Sequence, residues 1–384
     1  MTVAPATGVI TRDRLPRRRL AGLACVLPLA ALVTGCTGDE ESGRQPTATP
    51  AGGGGHRVAL TGDDLKAHDP SLTAVGPDWY VLSTGDAAVN FGTVQIRRVD
   101  AAGKVTFLGT VFDAIPEWVR KAVPGVDNIW APEVYLHDGT YYLYYSGSTF
   151  GSNRSVIGLA TNTTLDPAAA GYRWVDRGQV FESTKDDDFN AIDPGIVEDD
   201  GGRPYLAFGS FWSGIRQVRL EWPAGKPAAG QGEPARLADR QTPPNAVEAP
   251  YLLRRAGWYY LFVSFDLCCR GADSTYKIVV GRSRSVTGPF VDESGRSMLA
   301  GGGTVLLASD GAAIGPGGAS VAGGAGAGGA GGAGGAGGAG GAGDLIAYHY
   351  YNGDKAGEIT LAIGRITWGA QGWPRLTSST ITPS

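Results

Sequence analysis

The feature that most constrains this chain is a pattern that returns five times, at intervals of about 60 residues. Each copy has a proline (Pro70, Pro132, Pro194, Pro250, Pro316), then a short turn, then aromatic and branched residues ending in small polar ones. The second part of the copies reads Asp78-Trp79-Tyr80-Val81-Leu82-Ser83, Thr140-Tyr141-Tyr142-Leu143-Tyr144-Tyr145-Ser146, Arg203-Pro204-Tyr205-Leu206-Ala207-Phe208-Gly209 and Gly257-Trp258-Tyr259-Tyr260-Leu261-Phe262-Val263. Asp344-Leu345-Ile346-Ala347-Tyr348-His349-Tyr350 is the fifth. Runs of this kind bounded by Asp-Gly or Gly are strand and hairpin signals. A third strand follows in each copy, as at 93–99 and 155–160, and a fourth precedes the next proline, as at 174–181. Four short strands per unit, repeated five times, predict an all-β chain folded as a five-bladed β-propeller. A sandwich does not explain why one positional pattern returns. The only helical stretch expected is near 114–122.

The ends carry other information. Arg12, Arg14, Arg17, Arg18 and Arg19 precede an apolar run at 20–33, and Val33-Thr34-Gly35-Cys36 follows. A basic region, a short apolar core and small residues at the cut describe a signal peptide over 1–35. Cys36 is the expected site of lipidation, because the small residues before it resemble a bacterial lipobox. Residues 36–55 lack apolar periodicity and read as a flexible tether, leaving 56–384 as the folded domain. Within that domain, 322–343 is almost pure Gly and Ala and is expected to form a loop without chemistry. Cys268 and Cys269 are its only cysteines, so no disulfide framework staples distant segments. A net charge of −4 that becomes more negative without the basic leader gives no stripe for nucleic acid. Membrane contact is expected only through the lipid, and the protein is expected to act as a monomer.

Acids cluster at equivalent places in the repeat. Asp69 and Asp193 directly precede Pro70 and Pro194, while Glu248 stands one residue further from Pro250. A single Asp-Pro is readily a turn former. Three acids at corresponding positions of strands that line one channel should instead converge at its mouth. Loops joining second and third strands lie around that mouth by topology, and they hold Phe150, Trp212, Ser213 and His349. By the same logic the Gly/Ala tract falls on the opposite face. Converging carboxylates suit glycoside hydrolysis, in which one acid protonates the leaving oxygen while another activates water or attacks the sugar. Motifs for serine hydrolases and for zinc enzymes are missing from the sequence.

Taken in order, His68-Asp69-Pro70-Ser71, Trp130-Ala131-Pro132-Glu133, Ile192-Asp193-Pro194 and Val247-Glu248-Ala249-Pro250 resemble glycoside hydrolase family 43. Phe265-Asp266-Leu267-Cys268-Cys269-Arg270-Gly271 with Ser274-Thr275-Tyr276-Lys277, Gly315-Pro316-Gly317-Gly318 with Ser320-Val321, and Tyr348-His349-Tyr350-Tyr351 narrow the resemblance to its endo-α-1,5-L-arabinanases. The resemblance implies inversion, with Asp69 as general base, Glu248 as general acid and Asp193 tuning the acid. It implies calcium near the site with His349 as a ligand. On the residues alone, that histidine reads equally as a hydrogen-bonded strand-end residue. Trp130, Phe150, Trp212 and Ser213 are expected to contact arabinan, the pectin side-chain polysaccharide. The alternatives are an exo-acting arabinofuranosidase or β-xylosidase on the same scaffold, or a sugar-binding lipoprotein without catalysis.

Overall fold

Successive side chains of the second strand of blade two face different neighbours, and that division organises the molecule. In Thr140–Gly147, Tyr141, Leu143 and Tyr145 pack toward blade one, while Tyr142 and Tyr144 pack toward blade three. Side chains alternate faces along a strand. Since each sheet of a propeller packs against a sheet on both sides, both faces are buried. The result is a continuous apolar run rather than an alternating one. Five such inter-blade cores occur, one between each consecutive pair. Each fully buried Leu, Phe or Val in them contributes roughly 1.5–3 kcal/mol.

The structure, a computed structural model, describes residues 57–62, 64–323 and 344–376. The signal peptide, Cys36, the tether and all but the first two residues of the Gly/Ala insert lie outside the described residues.

Five antiparallel sheets follow the chain in order. Blade one is β1 (Ser71–Val75), β2 (Asp78–Ser83), β3 (Gln95–Val99) and β4 (Val105–Thr110). Helix α1 (Glu117–Ala122) leads into blade two, which is β5 (Ile129–His137), β6 (Thr140–Gly147), β7 (Ser155–Asn162) and β8 (Val175–Ser183). Blade three is β9 (Gly195–Glu198), β10 (Pro204–Phe208) and β11 (Ile215–Glu221), with a broken outer edge of β12 (Lys226–Pro227) and β13 (Ala235–Ala238). Blade four is β14 (Val247–Arg255), β15 (Trp258–Phe265), β16 (Lys277–Ser283) and β17 (Thr304–Leu307). Blade five is β18 (Ala313–Ala322), β19 (Leu345–Asn352), β20 (Glu358–Trp368) and β21 (Pro374–Leu376). The innermost strands β1, β5, β9, β14 and β18 contact one another around the axis.

How the ring closes is not readable from the repeats. Among the described residues no strand is exchanged between the first and last blades. Instead the segment before β1 bridges them: the Val58 N–H donates to Ile363 O (2.6 Å) and the Leu361 N–H to Leu65 O (2.7 Å). Thr61 meanwhile exchanges hydrogen bonds with Gly103 and Val105 of blade one. The core between blades five and one, including Leu72, Val81, Leu345 and Ile363, completes the closure.

The prolines mark one repeated backbone device. The residue before each is left-handed: Asp69 (φ 49°), Ala131 (40°), Asp193 (58°), Ala249 (53°) and Gly315 (57°). In blades one and three the inner strand begins after the proline. In blades two, four and five the strand begins earlier and the ladder is interrupted there, between Trp130 and Glu133, Glu248 and Tyr251, and Ile314 and Gly317. Proline has no N–H for the ladder, which is why the register breaks at that point. Glu248 is therefore the second residue of its strand, whereas Asp69 and Asp193 stand two residues before theirs.

Candidate active site

A ring of side-chain bonds holds the inner strands in place around the channel mouth. A residue in the last part of each second strand, or just after it, binds the next blade. Thr84 Oγ1 accepts the Ala131 N–H (2.9 Å), Ser146 Oγ accepts the Asp193 N–H (3.0 Å) and Ser264 Oγ accepts the Gly318 N–H (3.1 Å). Ser210 Oγ donates to Glu248 Oε2 (2.6 Å). In blade five the small hydroxyl residue is replaced by His349, whose Nδ1 accepts the Asp69 N–H (3.2 Å) and closes the circle. The small polar residues that end each repeat in the sequence are the signal for this ring, although they do not reveal its partners.

Asp69, Asp193 and Glu248 converge as expected, but in unlike surroundings. Asp69 Oδ2 accepts from His68 Nδ1 and from Thr84 Oγ1, each at 2.7 Å. Burial acts to raise this carboxylate, yet the charge and hydrogen bond of His68, with His349 and Thr84, outweigh it and hold Asp69 well below its ordinary range. The same pairing raises His68 against its own burial. Asp69 Oδ1 accepts no hydrogen bond from these groups and lies 3.7 Å from His349 Nδ1.

Glu248 is buried among neutral donors. Ser210 donates to Oε2 and the Tyr276 hydroxyl donates to Oε1 (2.7 Å). Burial raises Glu248; the two hydroxyls oppose it, and the Asp69 charge adds to it. Asp193 is raised further, by burial first and then by the facing carboxylates of Glu248 and Asp69. Its Oδ2 accepts the Ala249 N–H (3.1 Å), so Asp193 grips the backbone beside Glu248.

Blade five contributes space instead of an acid. A Cβ on Gly317 would lie 1.9 Å from the Tyr276 ring, and one on Gly318 would lie 2.9 Å from Asp69 Oδ1 and 3.0 Å from His349 Nδ1. Gly318 also has φ +61°, which suits glycine. Below the acids, a hollow of about 30 Å³ is lined by residues including Asp69, Glu133, Asp193, Gly318 and Ser320. That is room for one or two waters. Glu133 accepts from Ser71 Oγ (3.1 Å), and burial pushes its carboxyl up to about 8.

His349 is fully buried and held neutral by burial and by His68, with its ring stacked on that of His68 at 3.8 Å. Its Nε2 is buried without a hydrogen-bond partner. A neutral imidazole has one proton. With Nδ1 accepting the Asp69 N–H the proton sits on Nε2, so a cation there requires the other tautomer, with the proton on Nδ1 directed to Asp69 Oδ1, now 3.7 Å away. An orphaned imidazole nitrogen on a ring next to the Asp69 carboxylate fits a cation that takes its other ligands as oxygen.

Of the remaining expected residues, Trp130 lies in β5 next to Ala131, and Phe150, Trp212 and Ser213 lie in loops between second and third strands. Trp130, half-buried, donates through Nε1 to Asn128 Oδ1 (2.6 Å), and its ring meets that of Phe150 edge-on at 6.3 Å. Phe150 is 82% exposed and Trp212 39%. Ser213 Oγ accepts from Arg216, which also pairs with Asp188, so that oxygen is occupied. The insert is attached where Ala322 faces Leu345, at the end of blade five away from Gly317 and His349. His68, Thr84, Ser210 and Tyr276, which touch the acids, were not singled out from the sequence. Only His68 and Tyr276 fall within its recognised motifs.

The sequence profile of Glycosyl hydrolases family 43 matches residues 64–374. An extracellular exo-α-(1→5)-L-arabinofuranosidase of Cellvibrio japonicus is 36% identical over 83% of this chain and 88% of its own. An extracellular endo-α-(1→5)-L-arabinanase of Bacillus subtilis is 39% identical over 80% of this chain and 86% of its own. The crystal structure of an endo-arabinanase from Bacillus licheniformis superposes with a TM-score of 0.72 at 38% identity, covering 82% of this chain and 99% of that one.

Proposed function

Since the chain belongs to glycosyl hydrolases family 43, we propose that this glycoside hydrolase is an endo-acting, inverting α-1,5-L-arabinanase. The observation that carries the mechanism is the opposite setting of two buried carboxylates, Asp69 paired with imidazole and held well below its ordinary range, Glu248 set among neutral hydroxyls and raised by burial. Such a pair supplies a base and an acid at the same pH. Asp69 Oδ2 is filled by His68 and Thr84, so Oδ1 takes the proton from water. The water oxygen bonds to the anomeric carbon as the bond from that carbon to the leaving oxygen breaks, and Glu248 gives its proton to that oxygen. Asp193, itself raised by burial and by the Glu248 charge, holds the backbone at Ala249 beside the acid and is the proposed modulator of its pKa. Trp130, Phe150 and Trp212 offer apolar faces for sugar rings at the mouth.

His349 Nε2 would hold a calcium ion, which when bound supplies fixed positive charge in the channel. Calcium is then expected to raise Tm, and His349→Ala to abolish that rise. A Tm indifferent to calcium and chelator removes the ion from this scheme.

Chromatography of products from linear α-1,5-arabinan tests the whole reading. A ladder of short oligosaccharides, with the anomer first released inverted by NMR, is expected. Arabinose alone assigns exo action, the mode in the name of the Cellvibrio relative. No product from arabinan or from aryl arabinofuranosides and xylosides leaves a binding protein. The protein is proposed to act outside the cell, where its named relatives act. Labelling at Cys36 with a fatty acid in a bacterial host tests the lipid anchor. Sedimentation as a single chain is expected.

A further inference from the structure

Loop 266–276 belongs to blade four with the acid, yet its tip reaches across to the base. Cys268 and Cys269 are bonded to each other, a state the sequence left open. The bond closes a small ring through the intervening peptide, and Cys269 is left-handed (φ 64°). In this position the Cys269 N–H donates to the Tyr351 hydroxyl oxygen (2.7 Å). The same hydroxyl lies 3.2 Å from His68 Nε2, and His68 Nδ1 lies 2.7 Å from Asp69 Oδ2. Cys269 Sγ is 3.8 Å from His68 Nε2.

A backbone N–H only donates, and this orders the chain. The Tyr351 oxygen accepts from Cys269, so its own hydrogen is free for Nε2 of a neutral His68, whereas Nε2 of a protonated His68 donates to that same oxygen. Whether or not the imidazole takes a second proton, Nδ1 carries the one given to Asp69. Thr84 is ordered in the same way, since its oxygen accepts the Ala131 N–H and its hydrogen goes to Asp69 Oδ2. Two fixed backbone donors thus converge through two hydroxyls on one carboxylate oxygen.

We propose that the disulfide-closed Cys268–Cys269 tip, acting through Tyr351 and His68, is a positioning device that fixes which oxygen of Asp69 meets the water. The inference rests on Asp69 being the base. None of the three relay residues is a catalytic residue; each acts through the next.

The test is steady-state kinetics on linear α-1,5-arabinan with wild type, Tyr351→Phe, His68→Asn and His68→Ala, each before and after reduction by a phosphine. Tyr351→Phe and reduction are each expected to lower kcat by up to about tenfold, the worth of one oriented hydrogen bond, with KM nearly unchanged. His68→Asn keeps an amide donor near the place of Nδ1, so it should exceed His68→Ala. Reduction should cost Tyr351→Phe little more, because both break the same relay. Equal losses on reduction in wild type and Tyr351→Phe would overturn the proposal, as would a rise in KM with kcat intact. Unaltered kinetics in Tyr351→Phe and in reduced wild type would overturn it too. A wild type that releases nothing from arabinan refutes the proposed function itself, whereas an active wild type with indifferent variants refutes only this relay.

Discussion

Asp69 and Glu248 sit at one channel mouth and are both withdrawn from water, yet the protein treats them oppositely. Asp69 receives an imidazole and a hydroxyl on the same oxygen, with a second histidine close to the other. Glu248 receives one hydroxyl on each oxygen and no cation in direct contact. Burial alone pushes both upward, so the difference lies in what faces them. Imidazole outweighs desolvation, and hydroxyls do not. The lesson is that a repeat can supply the same kind of group twice, and unlike neighbours then push the two in opposite directions.

The strongest test of that division is to neutralise each carboxylate in turn. Glu248→Gln and Asp69→Asn are each expected to lower kcat by about 10²- to 10⁴-fold on arabinan. They should separate on an aryl arabinofuranoside with a good leaving group, which needs little protonation. Activity should recover there in Glu248→Gln and stay low in Asp69→Asn. Equal recovery would erase the distinction drawn between the two.

Gly318→Ala should come next, with kcat falling about 10- to 100-fold. Its Cβ would stand 2.9 Å from Asp69 Oδ1, the oxygen assigned to water. The left-handed backbone adds about 1–2 kcal/mol of destabilisation, read as a lower Tm. A variant with normal kcat would mean that Oδ1 is not the working oxygen.

Glu133 is the control that has neither setting. It has one hydroxyl donor and no imidazole, and its carboxyl is raised from an ordinary 4.5 to about 8. A raised folded value means stability present below pH 4.5 and lost as pH climbs through about 8. With chelator present, wild-type Tm should fall across that window. Glu133→Gln should flatten the fall and be the more stable protein at pH 9. Parallel curves for the two would show that Glu133 is not held protonated.

The smallest effect is expected from Tyr276→Phe. Its hydroxyl lowers the Glu248 value, so its loss should raise it and move the alkaline limb of kcat/KM to higher pH. An acid limb that moved instead would exchange the roles of the two carboxylates.

Much of this site was legible before any coordinates. Three acids recur at matched places because the repeat presents equivalent backbone positions to one axis, and a repeat is visible in sequence. The one-residue offset of Glu248 was visible too, but its cause was not. Asp69 and Asp193 occupy the left-handed pre-proline position itself, whereas Glu248 precedes left-handed Ala249 inside an interrupted ladder. His349 was legible as a motif residue, and its place as the fifth member of a ring otherwise built from Thr84, Ser146, Ser210 and Ser264 was not. His68 and Tyr276 sat in plain view within recognised motifs without showing which acid each serves. Tyr276 reaches Glu248 from a strand start 28 residues on, through room left by Gly317.

By itself the sequence determined the architecture, the identity of the three acids and the family, because hydrophobic period, repeat spacing and ordered motifs are local or periodic along the chain. Only the tertiary structure decided the direction in which each acid is pushed, the closure of the ring by the segment before β1, and the reach of the Cys268–Cys269 tip to His68. Those depend largely on distances between residues well separated in the chain, and such distances are set by the packing of whole sheets.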